Sequence, residues 1–260
     1  MKALKPVVCA IGLVFSSLAS AGPILIINGA DQTTEVGTTS AVTANLTSLH
    51  EAVGNTVTVS NTILGDLSGF SQVWDVRFFN AAALDAGSQT TYQNYLSNGG
   101  GLFLMGENSS FMARNNSILS LIDMLGGGSL GFQGSCQSNQ TVYAPFNEPN
   151  VVTQVNYSAA GCFDGTGTGQ WITSRADGAQ GSGLAFGVGS LTNAMAGSLT
   201  TILDVNFMMN QNDLPNSQEL TKNLISFVGD QTEPTPVPAP ASFLLLAAGL
   251  IGLRFSRKSA

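Results

Sequence analysis

Few side chains in this sequence are equipped for chemistry. There is one histidine, His50, and there are three cysteines, Cys9, Cys136 and Cys162. A thiol or hydroxyl nucleophile needs a base within hydrogen-bond reach, so a Cys–His or Ser–His pair would have to recruit His50. Transition-metal sites gather several imidazoles and thiolates, and this set is too sparse for one, so no metal and no cofactor is expected. Oxygen chemistry remains. Asp31 and Glu107 each follow a short apolar run, residues 23–28 and 102–105. Two carboxyls about 5–10 Å apart across a pocket could act as acid and base in a hydrolysis such as glycoside cleavage. Alternatively, Asp31, Glu107, Asn108 and Arg114 could bind a sugar or another polar ligand. A structural reading stands beside both: Glu107 satisfies backbone N–H groups at a helix start, with Arg114 as its partner.

Other motifs carry less. Gly126, Gly128 and Gly131 match the spacing of the dinucleotide fingerprint, but they follow an expected helix rather than a strand, so the phosphate cradle has no geometry to form in. The segment 164–169 has too few carboxylates for a calcium loop, and 210–213 could contribute oxygens to calcium but has no partner at a fixed spacing.

Charge narrows the partners. Charged residues make up only 10% of the chain, against roughly 25% in an average domain, so Ser, Thr, Asn and Gln must wet the surface. Five of the nine basic residues sit at the extremities: Lys2, Lys5, Arg254, Arg257 and Lys258. The interior keeps Arg77, Arg114, Arg175 and Lys222 against all sixteen acidic residues, from Asp31 to Glu233. Such a body repels phosphate backbones, and no nucleic-acid partner is expected.

Both ends read as sorting signals. Lys2 and Lys5 precede an apolar run over 7–18, and Ala19-Ser20-Ala21 supplies the small residues of a cleavage site. Residues 1–21 are therefore expected to be a secretory signal peptide. At the other end, residues 230–240 form a proline-rich linker that can enter neither helix nor central strand. Residues 241–253 are a continuous apolar helix, and Arg254, Arg257 and Lys258 close the chain. By the positive-inside rule these charges stay cytoplasmic and the body lies outside. Thirteen apolar residues rise only about 20 Å, so crossing about 30 Å of hydrocarbon needs the flanks as well.

This tail resembles the PEP-CTERM sorting signal, the substrate of exosortase. The matching residues are Val237-Pro238-Ala239-Pro240, then Gly249-Leu250-Ile251-Gly252-Leu253 and Arg254, with Ala239 where that signal usually has Glu. The resemblance implies export through the secretion machinery, transient anchoring in the membrane by the C-terminal helix, and release or transfer at the cell surface. It also implies association with extracellular polysaccharide or biofilm matrix. In an oxidising compartment Cys136 and Cys162, the pair that remains once Cys9 leaves, are expected to form a disulfide; two free thiols are the alternative.

The body, 22–229, must position whatever chemistry there is. Strands are expected at 23–28, 56–60, 73–79, 102–105 and 200–207, with helices at 41–53, 88–97, 116–125 and 217–228 between and after them. Alternation of this kind gives an α/β domain: a flavodoxin-like parallel sheet with helices on both faces. Residues 131–196 differ in composition, rich in Gly, Ser, Thr, Asn and Gln with short alternating runs, and read as a β-rich insertion holding the disulfide. In such a sheet the strand ends direct Asn28, Asp31, Asn80, Glu107, Asn108 and Asp204 or Asn206 to the ligand edge.

The body also resembles the class I glutamine amidotransferase-like fold, through residues 24–29, residues 95–107 and the closing helix at 219–228. That resemblance implies a catalytic cysteine on the turn after the strand at 102–105. The turn here is Gly106-Glu107-Asn108-Ser109-Ser110, without a cysteine, and the Gly-x-Ser-x-Gly alternative is not matched. His50, near the end of the first helix, is expected on the helix surface, about 13 Å from the edge where a base would be needed. The expectation is a non-catalytic binding or structural module, with a carboxylate hydrolase using Asp31 and Glu107 as the alternative.

Overall fold

A computed structural model describes residues 22–29, 33–34, 37–209 and 213–230. The signal segment, Asp31, the linker, the sorting residues Val237, Pro238, Ala239 and Pro240 and the apolar C-terminal helix lie outside those residues. Among the described residues, no helix is long and apolar enough to cross a membrane.

The first half alternates as its sequence requires. Strand β1 (Pro23–Ile27) leads through a small hairpin, β2 (Thr33–Thr34) and β3 (Gly37–Thr38), into helix α1 (Thr39–Ala52). Then come β4 (Thr56–Ser60), β5 (Gln72–Asp75), α2 (Ala86–Ser97), β6 (Gly101–Met105) and α3 (Met112–Met124). Helix α2 begins two residues earlier than the apolar spacing suggests, because the Asp85 carboxylate caps it by accepting the Ser88 N–H at 2.7 Å.

Residues 131–196 are all strand and loop among the assigned elements: β7 (Phe132–Ser135), β8 (Asn139–Val142), β9 (Gln154–Asn156), β10 (Gly161–Phe163), β11 (Gln170–Ser174) and β12 (Gly183–Phe186). Strand β13 (Ser198–Ile202) and helix α4 (Leu214–Asp230) close the domain.

The main sheet has nine strands in the order β4-β1-β5-β6-β13-β12-β11-β8-β9. The first five are parallel, in the doubly wound order in which the second strand flanks the first and the chain then reverses direction across the sheet. The other four pair antiparallel. The expectation of a parallel sheet is therefore corrected. The insertion does not stand apart: β12 bonds the outer edge of β13, and β11, β8 and β9 continue outward, so the sheet is mixed. An unpaired β13 edge would leave backbone donors and acceptors without partners. The rest of the insertion, β7 and β10, makes a separate antiparallel ribbon.

Helices cover both faces. Ile24, Ile26, Trp74, Phe103 and Met105 point to one face and pack with Val42 and Leu46 of α1 and Leu220, Leu224, Ile225 and Val228 of α4. Leu25, Ile27, Val73, Leu102 and Leu104 point to the other, against Tyr92, Tyr95 and Leu96 of α2 and Ile118, Leu121 and Ile122 of α3. Strands buried on both sides read as uninterrupted apolar runs, which explains PILII and GLFLM. The first face is braced by rings, with Trp74 stacked on Phe103 at 4.6 Å and His50 edge-on to Trp74 at 5.1 Å.

Two strands are shorter than their sequences suggest, for one reason. Beyond Asp75 and beyond Ile202 a carboxylate takes over from the ladder. Asp75 Oδ1 accepts the Arg77 N–H at 3.1 Å, and Asp204 Oδ1 accepts the Asn206 N–H at 2.8 Å. Each side chain binds its own backbone two residues ahead, in place of a neighbouring strand.

Candidate functional site

The C-terminal edge of the parallel strands is where this architecture exposes chemistry. Two charged groupings lie there.

The first centres on Asp75, at the end of β5 and fully buried. Asp75 and Arg77 are two residues apart and so lie on the same side of the extended chain. The Arg77 guanidinium donates to Asp75 through Nε at 2.9 Å and a terminal nitrogen at 2.7 Å. Arg114, from α3, reaches Asp75 Oδ2 at 3.2 Å with a side chain that is wholly buried, and Tyr92 donates its hydroxyl to the same oxygen at 2.8 Å. The remaining Arg114 donors bind the Met105 carbonyl at 3.1 Å and the Ala82 carbonyl at 2.8 Å. Burial pushes the Asp75 carboxyl upward, but the positive charges of Arg114 and Arg77 and the bonds from Arg77 and Tyr92 outweigh it and hold the group below its usual range. Burial, followed by the adjacent Asp75 charge, pushes the Tyr92 hydroxyl well up.

The second grouping is the turn after β6. Gly106 opens it in a tight space: a Cβ there would come within 2.5 Å of the Leu203 side chain and 2.9 Å of Asn115 Oδ1, so a larger residue would have to displace both side chains. Glu107 is 2% exposed. One of its carboxylate oxygens accepts the Asn108 N–H at 2.8 Å, and the other accepts the Val205 N–H, across on the segment after β13, at 2.9 Å. Asn115 of α3 completes the clasp by accepting the Glu107 N–H at 3.0 Å and donating to the Glu107 carbonyl at 2.7 Å and the Asn108 carbonyl at 3.0 Å. Asn108 accepts the Ser110 N–H at 2.9 Å, capping the short helix at 109–111 that runs into α3.

The insertion covers this turn. The Gly161 N–H, at the start of β10, bonds the Leu203 carbonyl at 2.8 Å. Gly161 lies so close to the turn that a Cβ on it would come within 2.8 Å of the Glu107 carbonyl. Asp204, fully buried, accepts the Ser158 N–H at 2.9 Å and fixes the loop leading into β10. The Cys136–Cys162 disulfide, with Cα atoms 4.9 Å apart, ties the two strands of the ribbon together.

The structure places Glu107, Asn108 and Arg114 at this edge, but not in one site. Arg114 is the partner of Asp75, and Glu107 binds backbone amides. The Asp31–Glu107 separation lies outside the described residues. Asp75, Arg77 and Tyr92 were not singled out. An acid and a base two residues apart at the end of an apolar strand were the available signal. The reading of His50 as a surface residue is corrected. It is fully buried near the opposite, N-terminal edge, where its Nδ1 meets Asn55 Nδ2 at 3.1 Å and its ring packs on Trp74. Among the described residues, no group of three or more His, Cys, Asp or Glu side chains could hold a metal ion.

No protein-family model matches the chain, and no curated protein matches by sequence. The fold does have relatives among solved structures. The mmIFT52 N-terminal domain superposes with a TM-score of 0.55 at 11% identity, covering 82% of this chain and 99% of that one. A putative ThuA-like protein from Bacteroides uniformis gives 0.52 at 13%, covering 80% and 91%. The exo-β-1,4-mannosidase Op5Man5 from Opitutaceae bacterium strain TAV5 gives 0.51 at 10%, with 82% of this chain spanning 36% of the enzyme. At such identities the likeness is one of fold.

Proposed function

We propose that this chain is an exported, exosortase-sorted protein of the cell surface or extracellular matrix, whose body is a flavodoxin-like, amidotransferase-like scaffold used for binding or structure rather than catalysis. The observation that carries the non-catalytic part is the condition of Glu107. Both its oxygens are bound to backbone N–H groups, and β10 lies across its turn. A carboxylate held this way is shielded from solvent and fixes its own turn, which disfavours an acid–base role. The export part is supported by the basic–apolar–small pattern of residues 1–21 and the Pro-rich, apolar and basic order of the tail. The Cys136–Cys162 disulfide fits a body that matures outside the cytoplasm. Secretion machinery and exosortase are the processing partners on this reading, and extracellular polysaccharide is the expected contact.

Cell fractionation of the full chain, in hosts with and without exosortase, tests this directly. The mature protein is expected in the envelope or medium when exosortase is present and retained in the inner membrane when it is absent. A cytoplasmic, full-length product sinks the proposal. A glycan array on the secreted product then separates binding from a purely structural role. Glycosidase activity abolished by Glu107→Gln, in a variant that keeps its melting temperature, would overturn the non-catalytic assignment.

A further inference from the structure

The edge of the sheet opposite Glu107 carries a cavity of about 250 Å³ between the loop before β5 and the last turns of α2. Its wall combines Asp66 and Ser68 from the loop, Asn94 from α2 and Asn98 just after it, and the rings of Phe70 and Tyr95. We propose that this cavity is a binding subsite for one neutral sugar unit, a deepening of the matrix-binding role that rests on that reading.

The chemistry of the wall selects the ligand. No lysine or arginine lines it, and Asp66 places a negative charge there, so phosphate, sulfate and uronate groups are repelled. One carboxylate alone is too few for a bound divalent ion. What remains is a surface of hydrogen-bonding groups beside aromatic carbon, which suits a polyhydroxylated ring with one polar rim and one apolar face. Asp66 is an acceptor whose orientation is fixed, since its Oδ1 takes the Ser68 N–H at 2.9 Å. That bond holds the carboxyl below its usual range, so it stays an ionised acceptor through neutral pH. Asn98 Nδ2 donates to the Asn94 carbonyl at 2.9 Å, which orients the amide. The Tyr95 hydroxyl is directed inward to the Phe70 and Gly101 carbonyls at 3.2 and 3.3 Å and its ring is buried against Gly100, so the aromatic carbon within reach of a ligand is that of the half-buried Phe70. A volume just under the usual range for drug-sized ligands admits one ring, not an oligosaccharide lying flat.

The test uses the purified full chain and ligand-observed saturation-transfer NMR. The probes are glucose, galactose, mannose and N-acetylglucosamine, with glucuronate as the charged control, and a short oligosaccharide of any sugar that binds. At least one neutral sugar is expected to show transfer, and glucuronate none. If the oligosaccharide binds tighter than the monosaccharide, the natural source is a glycan end; if equally, free sugar. Asp66→Ala and Asn94→Ala are each expected to weaken binding about tenfold. Gly65→Phe is the variant that separates occlusion from misfolding. It lines the cavity, its φ is not positive, and a Cβ there meets nothing within 4 Å. It should abolish transfer with an unchanged melting temperature. No transfer from any neutral sugar, or transfer that survives all three substitutions, overturns the subsite. Glycan-array binding that persists in the three variants would leave the matrix role standing while removing this cavity from it.

Discussion

His50 and Asp75 show what burial does to two ionisable groups in one domain. Asp75 keeps its charge because two guanidiniums and a phenol meet it. His50 has no such company, and burial lowers its pKa to about 3. The signs of the resulting acid sensitivity are the same, but the windows differ. The unfolded chain binds a proton on His50 below about 6.5, whereas the folded chain does not until about 3. Stability is therefore fully present above 6.5 and falls by about 1.4 kcal/mol per pH unit below it. Urea denaturation from pH 7 to 4.5 should show this slope, and His50→Gln should flatten it. The Asp75 contribution is present above pH 3.8 and is lost only as pH falls through its lower folded value. Arg114→Met strips the buried carboxylate of one partner and two carbonyls of their donor, and should cost about 3–5 kcal/mol by chemical denaturation. The double variant Asp75→Leu with Arg114→Met should recover part of that loss. A single Arg114→Met cost under about 1 kcal/mol would contradict the description of the cluster.

Among the elements, α4 divides cleanly. Leu220, Leu224, Ile225 and Val228 face the sheet, while Lys222 and Glu219 form a half-exposed pair at 2.8 Å. Leu224→Ala should cost about 2–5 kcal/mol, and Lys222→Ala less than about 1, when both are read from the same thermal melts. The helix was legible because its apolar residues recur every three to four positions. Strands β1 and β6 were legible as short unbroken apolar runs. The overlong reading of β5 and β13 has a single origin: apolar residues continue past Asp75 and Ile202, but a carboxylate at each place captures the following backbone N–H. Propensity does not register a bond between a side chain and its own chain two residues ahead.

Across the whole molecule, the insertion and the parallel half are one folding body. Four strands of the insertion extend the sheet, and its ribbon closes over the turns after β6 and β13. The disulfide closes a loop of roughly 27 residues within this region, so its reduction should lower stability by about 3 kcal/mol on the chain-entropy account. The urea midpoint measured with and without reductant reads this out, and Cys136→Ser with Cys162→Ser should reproduce the reduced value. From the sequence alone came the α/β class, the helices on both faces, the strand-rich segment 131–196 and the pairing of Cys136 with Cys162, because periodicity, composition and cysteine count are local or additive properties. The signals expected at the two ends rest on the same kind of local pattern. The tertiary structure alone decided that Arg114 belongs to Asp75 and not to Glu107, that His50 is buried against Trp74, and that the insertion joins the sheet and covers its edge. Each of those is a contact between distant segments, chosen by which partner can satisfy a buried charge or an unpaired strand edge, and no spacing along the chain encodes that choice.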